Sequence, residues 1–507
     1  MQLASRGIVT VSPCAAASTL RAGGAALLVG LVVGVSACGG GNDGVAPGST
    51  PATASAPALN PAPLVPPPVA GTPVSVDTGA SGDPVSLRVA RSANGDSFAV
   101  WLAYDGTRHN LWANRYRGTA AAWGNAVNIE TSAADIDHFD FTVDAGGNSV
   151  VVWNEPTPGG GSGTVMSVRF ATGAGVWAAP VQLSFQQGLP RPRVASDATG
   201  AVLAVYGDGI VGRFFDPVSG TWQPETGIGK NTFGTGHSFG PVPLLDGSGN
   251  ALVVYHDARV SAAILASNYY SSSTGSWGEL PPDVIDILGW IPDSFVFGFN
   301  ENIQLAAAGG GNFLAAWQAS DDTTPTPFSV IKIARFTSST RTWSKAETLL
   351  TGSFDKADFK LQRLASDAAG NAQLIWTERE GTRTALMAMR IDGAVCSAPE
   401  VLDRAIGGGA ARADLGVDAA GDAIAIWQQF EGGRPDDGSR SNIAINRFDA
   451  VAQLWSGAVV AETQSGNAIS PSASASGGQA LLGWIQSENG VNRVKALLQP
   501  LGNAPGP

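Results

Sequence analysis

The chain is predicted to be all-β, folded as an eight-bladed β-propeller with four antiparallel strands per blade. Three observations carry that expectation. Apolar runs end in an aromatic residue at Trp101, Trp153, Tyr206, Tyr255, Trp317, Trp376, Trp427 and Trp484, at steps of 49 to 62 residues. A second aromatic follows in phase at Trp123, Trp177, Trp222, Trp277, Trp343 and Trp455, with Cys396 in that place in the sixth repeat. Four of the runs follow one turn, written DAGG, DATG, DAAG and DAAG at 144–147, 197–200, 367–370 and 418–421. Self-similarity at such a period is the signature of a repeat architecture, and four short strands per unit is that of a propeller blade.

The seventh unit shows the elements in order. RADLGVDA (412–419) alternates and reads as strand one. DAIAIW (422–427) is continuously apolar, as expected of a strand buried on both faces. NIAINRFD (442–449) and LWSGAVVA (454–461) read as strands three and four. The Asp-Ala-Ala-Gly between strands one and two is hairpin chemistry, with Asp opening the turn and Gly taking positive φ. FDPVSGTW (215–222) makes the turn between strands three and four of the third unit. It resembles kelch-type repeats, without their Gly-Gly doublet, and the Asp-box turns of sialidases, without the full Asp-box sequence.

The eighth unit, 471–501, holds only three strands. TPVSVDTG (72–79) resembles the fourth-strand segments and is expected to supply the missing one, so that the N-terminal strand closes the ring against the last blade. Closure removes an exposed sheet edge. Seven blades is the alternative count.

The propeller is expected to span 72–502, followed by a tail at 503–507. Before it, AALLVGLVVGV (25–35) is too short to span a membrane as a helix and fits a signal-peptide core. It leads into VSAC (35–38), which resembles the lipobox of bacterial lipoproteins. That resemblance implies a signal peptide at 1–37, acylation of Cys38 and anchoring in the cell envelope. Gly39, where Asp commonly signals inner-membrane retention, implies the outer membrane. Residues 38–71 are rich in Gly, Pro and Ala and read as a disordered tether. With Cys14 removed and Cys38 acylated, Cys396 is expected to have no intrachain partner.

The chain carries 30 basic and 42 acidic residues, a formal charge of −12, which argues against a nucleic-acid partner. No nucleophile elbow, phosphate loop or zinc helix is present. The chain is therefore expected not to be an enzyme, with no catalytic residue, no metal and no cofactor. The expected role is a lipid-anchored extracytoplasmic binding or scaffold protein that recognises a protein or glycan. The alternatives are a sialidase-like carbohydrate-active enzyme and a structural envelope protein with no small ligand.

Antiparallel connectivity places the short one–two and three–four turns at one end of the disc, and the variable two–three and four–one loops at the other. Variable loops on a rigid scaffold are where binding concentrates. His109, His138, His237 and His256 are all expected in those loops. The loop at 281–302, with Trp290 and its apolar neighbours, is expected to fold over the channel mouth or meet a partner. The candidate binding residues are His138, Glu155, His237, His256, Asp257, Arg259, Trp290, Glu378 and Arg379. Glu155 and Glu378 enter through Trp-x-Glu pairs, since fucose-type propeller lectins use Arg, Glu and Trp together. The Trp ladder itself is expected to pack between blades. An Arg ladder in strand three, from Arg115 to Arg447, is expected to pair with neighbouring aromatics or carboxylates.

Overall fold

In the computed structural model the described residues are 71–502, apart from 160–161, 188–190, 230–236, 259–262, 279–282, 290–302, 322–327, 353–358, 436 and 463. The signal peptide, nearly all of the tether and the tail lie outside them. The described chain is all-β and forms eight antiparallel sheets, one per blade. The innermost strands are Asp83–Arg91, His138–Val143, Arg193–Ser196, His237–Leu245, Ile303–Ala307, Lys360–Ser366, Gly409–Val417 and Ala468–Ser476, in blades 1 to 8. Each touches the inner strands of the two neighbouring blades, so the eight form a closed ring around a central channel.

Ring closure follows the expected route. In blade 8 the outermost strand is Val74–Ser75, which pairs with Val491–Pro500 through Val74↔Ala496 and Ser75↔Lys495. Val76 is fully buried behind it, and Asp77 Oδ2 accepts from the Val494 N–H at 3.3 Å. In the other seven blades the fourth strand is broken into two short pieces that both pair with strand three, as at Leu454–Trp455 and Val459–Val460.

The second strand of each blade is apolar over most of its length because that part has no solvent face. Ala423–Phe430 is buried at every position, sandwiched between adjacent blades. Eight apolar clusters occupy the eight blade interfaces among the described residues. The Trp and Tyr residues that end these strands are among the largest fully buried side chains. A buried indole N–H needs an acceptor, and residue i+2 on the same strand face supplies one. Trp153 donates to Glu155 at 2.9 Å, Trp376 to Glu378 at 2.9 Å, Trp427 to Gln429 at 2.5 Å and Trp484 to Gln486 at 3.2 Å.

The repeated turn links blades as well as strands. Its first residue accepts the N–H of its Gly and bonds the fifth residue, as Asp144 does with Gly147 and Asn148. The Asn148 side chain then accepts from the Thr172 N–H at the end of strand three. Gly370 has φ +89°, and a Cβ there would lie 2.2 Å from the Ala308 carbonyl carbon of the next blade. Only Gly fits that approach.

The strand-three Arg ladder also reaches across blades. Arg115 lies 4.7 Å over the Phe170 ring and pairs with Asp96 at 2.5 Å; Arg169 lies 5.0 Å over Phe215; Arg447 bonds Gln499. The expectation for Cys396 is not met: it is disulfide-bonded.

Candidate functional site

Eight inner strands present eight free edges to the channel, and unpaired edge N–H groups are costly when shielded from water. Side chains of the adjacent blade supply the acceptors. Ser472 Oγ accepts from the Val89 N–H at 3.1 Å and Ser474 Oγ from the Arg91 N–H at 3.0 Å. Asp140 Oδ2 accepts from the Val194 N–H at 3.1 Å, and Asp414 Oδ2 from the Ala473 N–H at 2.9 Å. Gln362 Oε1 accepts from the Ala413 N–H at 3.0 Å.

Four residues before each turn the inner strands carry, in blade order, Arg88, Asp140, Arg193, Val242, Gln304, Arg363, Asp414 and Ser472. One relay occurs twice in this column. Arg88 meets Asp140 at 3.4 Å, and Asp140 holds the backbone of blade 3. Arg363 meets Asp414 at 3.4 Å, and Asp414 holds the backbone of blade 8. The Arg88 and Arg363 side chains are 37% and 44% exposed, so both guanidinium groups are reachable from solvent.

Two residues nearer the loop end, several inner strands turn out of regular extended form. Register shifts interrupt the pairing in blades 4, 7 and 8. At this position φ is +32° at Arg191, +64° at Gly240, +51° at Arg412 and +53° at Ser470. Gly240 adopts it freely, whereas Arg191, Arg412 and Ser470 are strained there. Bulges of this kind re-aim side chains at the rims of closed sheets.

His138 occupies the same position in blade 2. Its imidazole is pushed down to about 3, first by burial and then by the positive fields of Arg193, Arg88 and Arg191, with Asp140 opposing. It is therefore neutral at ordinary pH. Its Nε2 is buried and has no hydrogen-bond partner among the described residues. Next to it Asp137, itself exposed, is raised by partial desolvation, although the Asn154 amide donates to it at 2.8 Å and Arg191 opposes the rise. Asp137, His138, Asp140, Arg88, Arg191 and Arg193 thus converge on one stretch of channel wall in blades 1 to 3.

Of the residues singled out from sequence, only His138 belongs to this group. Glu155 and Glu378 sit at the buried Trp residues of blades 2 and 6; Glu155 also accepts from Ser132 Oγ at 2.8 Å, and burial raises the Glu378 carboxyl. Asp257 and His256 are buried in the second strand of blade 4, where His256 stacks on Phe239 with centroids 5.4 Å apart. His237 opens the inner strand of that blade, paired with Ala258. Arg379 is exposed in blade 6, donating to the Gly381 carbonyl at 3.3 Å. Arg259 and Trp290 lie outside the described residues.

The histidines were expected in loops, and each is instead within a strand near the loop end: His109 in His109–Arg117, His138 and His237 at the start of inner strands, and His256 in Ala251–Ala258. The apolar segment expected as a loop is in part the fourth strand of blade 4, Asp283–Gly289, with Ile287 67% exposed. Sequence reading missed Arg88, Asp137, Asp140, Arg191 and Arg193. The signal for the column that holds Arg88, Asp140 and Arg193 appears when the eight repeats are aligned on their turns. Among the described residues no three His, Cys, Asp or Glu side chains are grouped to hold a metal ion.

No family model and no curated protein matches the chain. Solved structures do. An α-L-arabinanase of Penicillium chrysogenum complexed with arabinobiose is 9% identical, with 85% of this chain and 99% of that one covered and a TM-score of 0.39. A PL25 ulvan lyase is 9% identical over 85% and 96%, with a TM-score of 0.45. The Dos1 propeller is 11% identical over 87% and 96%, with a TM-score of 0.46. No side-chain role is carried over from likenesses this remote. Two of these three proteins are nevertheless named as glycan-cleaving enzymes. This corrects the expectation that the chain is not an enzyme, and that reading is not kept.

Proposed function

We propose that this protein acts on a carbohydrate at the loop end of its channel, beside blades 1 to 3. One observation carries the reading: an exposed carboxyl that partial desolvation raises, Asp137, stands next to a neutral, half-buried imidazole, His138, which lies in the fields of three arginines. Groups whose environments perturb their titration cluster at functional sites, and a raised carboxyl holds its proton more readily than an ordinary one. The wall offers charged groups, amides and hydroxyls, which match a hydroxyl-rich ligand better than an apolar one. Asp137 is assigned the transferred proton. Arg88, Arg191 and Arg193 hold the ligand, and Asp140 fixes the wall.

The test is turnover. The purified protein is incubated with a panel of neutral and acidic polysaccharides, and new chain ends are counted. Cleavage is expected, falling by about 100-fold or more in Asp137→Asn. Cleavage that is indifferent to Asp137 removes this site, and no cleavage of any polymer removes the enzymatic reading.

We infer further that the propeller is held at the bacterial envelope, in the outer membrane, through acylated Cys38, with 38–71 as its tether. The support is the lipobox-like VSAC and the apolar run before it. Fatty-acid labelling that survives Cys38→Ala overturns this. Cleavage before Cys38 leaves Cys38 and Cys396 as the only cysteines, so an acylated Cys38 and a Cys38–Cys396 bond exclude one another. Mass spectrometry of the mature protein decides between them.

A further inference from the structure

We propose that the channel takes an acidic glycan, whose carboxylate or sulfate is held by Arg88 and Arg191 beside His138. This rests on the carbohydrate reading above and names the charge of the substrate.

The first argument is charge segregation. The chain as a whole is acidic, with 42 acidic and 30 basic residues. Its eight inner strands reverse that balance. They carry Arg88, Arg91, Arg193, Lys360, Arg363 and Arg412 against Asp83, Asp140 and Asp414. A concave wall with an excess of one sign focuses its field and gathers ligands of the other sign. The charge is also one-sided. At the ring position of Arg88, blades 4 and 5 carry Val242 and Gln304.

The second argument is what the wall carboxylates do. Asp140 gives one oxygen to the Val194 N–H, and Asp414 gives its own to the Ala473 N–H, the Ser472 hydroxyl and the Leu415 N–H. They hold the ring together. Arg88 receives a single contact at 3.4 Å, too long for a strong charge-assisted hydrogen bond. Arg191 makes no side-chain hydrogen bond or salt bridge to a described residue; Asp137 is the carboxylate its charge acts on, and its backbone is held at φ +32°. The backbone strain at Arg191, which aims a half-buried guanidinium at this wall, is explained by a ligand.

The third argument is His138. Its Nε2 is buried without a partner among the described residues, beside those same arginines. A ligand that displaces a neighbouring side chain and seats an oxygen beside Arg88 and Arg191 would supply that partner, accepting from Nε2 in one tautomer or donating to it from a sugar hydroxyl in the other.

Carboxylate and sulfate share the chemistry that two guanidinium groups recognise, and the test separates them. Binding of polygalacturonate, dextran sulfate and neutral arabinan to the full chain is measured by calorimetry at low and high salt. Saturable binding of polygalacturonate or dextran sulfate, but not of arabinan, is expected, with the polymer that binds identifying the anion. Arg88→Gln and Arg191→Gln are each expected to weaken it about 10-fold or more. Lys345→Gln, which removes one positive charge from an exposed position outside the channel, is expected to change it less than twofold. Arg191→Gly keeps the backbone conformation and is expected to lose binding without loss of melting temperature, so misfolding does not obscure the result.

Binding of the acidic polymers that is equal in wild type, Arg88→Gln and Arg191→Gln overturns the proposal. So does tight binding of arabinan with no preference for charge. Turnover of arabinan alone overturns the proposal and leaves the carbohydrate reading intact. An acidic polymer that is bound through Arg88 and Arg191 but never cleaved supports the proposal and overturns catalysis.

Discussion

Blades 1 to 3 and blades 6 to 8 contain the same relay, Arg to Asp to backbone N–H, and finish it differently. In the second copy the residue six before the turn in blade 7 is Arg412, which donates to Gln428 at 2.8 Å, and Gln428 in turn donates to Ser441. The chain of polar groups runs on into the blade. In the first copy that position in blade 2 is His138, whose Nε2 ends without a partner among the described residues, and the next blade adds Arg191, which makes no side-chain hydrogen bond or salt bridge to a described residue. One backbone device thus serves two ends. Where the polar groups satisfy one another the relay is architecture; where they do not, it is available to a ligand.

The sharpest way to break the comparison is Asp137→Asn, with its expected loss of about 100-fold or more in turnover. No carboxyl stands at the matching place in blade 7, where Ala411 precedes Arg412. Next come Asp140→Ala and Asp414→Ala. Each leaves a backbone N–H without its acceptor, so each is expected to cost about 1–3 kcal/mol in denaturant unfolding. Only Asp140→Ala is expected to change glycan binding, because it also releases Arg88. Equal effects of the two on binding would merge the copies.

The pH dependence of stability sharpens the contrast. The folded His138 imidazole is lowered from 6.5 to about 3, so the unfolded chain takes up the proton first as pH falls. Its contribution is present above pH 6.5 and is lost progressively as pH falls toward about 3. In Asp137, Asp140, Arg88, Arg191 and Arg193 every other charged group of that wall is retained in His138→Asn. That variant is expected to flatten the slope of melting temperature against pH in this window, whereas Arg412→Gln leaves it unchanged.

The smallest effect is expected at the Trp acceptors. Gln already fills the role at Gln429 and Gln486, and burial raises the Glu378 carboxyl, so ionising it there works against the fold. Glu378→Gln is expected to shift stability by under about 0.5 kcal/mol, whereas Glu378→Ala, which orphans the Trp376 N–H, costs about 1–2 kcal/mol. Thermal unfolding of the pair measures both.

The fold was readable because its determinants are local and repeated. The aromatic at the end of strand two and the Asp-x-x-Gly turn each lie within one hairpin, and even the closing strand at Val74 resembles its counterparts in other blades. The site was not readable in the same way. Arg88, His138 and Arg193 come from three blades, and they meet only because a ring brings inner strands side by side. The left-handed residues at Arg191 and Arg412 add a second obstacle, since a bulge changes which face a side chain takes and alternation no longer predicts it. Histidines drew attention to His138 correctly and to His256 and Asp257 in blade 4 by the same rule, although those are buried in a second strand.

The ring's clasp is also its mechanical fuse. Val74 and Ser75 are the first residues of the propeller that any tension arriving from the N-terminal side encounters, and they hold the last blade through one short stretch of pairing. Such a pull loads the clasp before any complete blade. Arg88 stands in blade 1, its strand fastened to blade 8 through Ser472 and Ser474. Force applied from the N-terminal side and the shape of the arginine-lined wall therefore meet at blade 8.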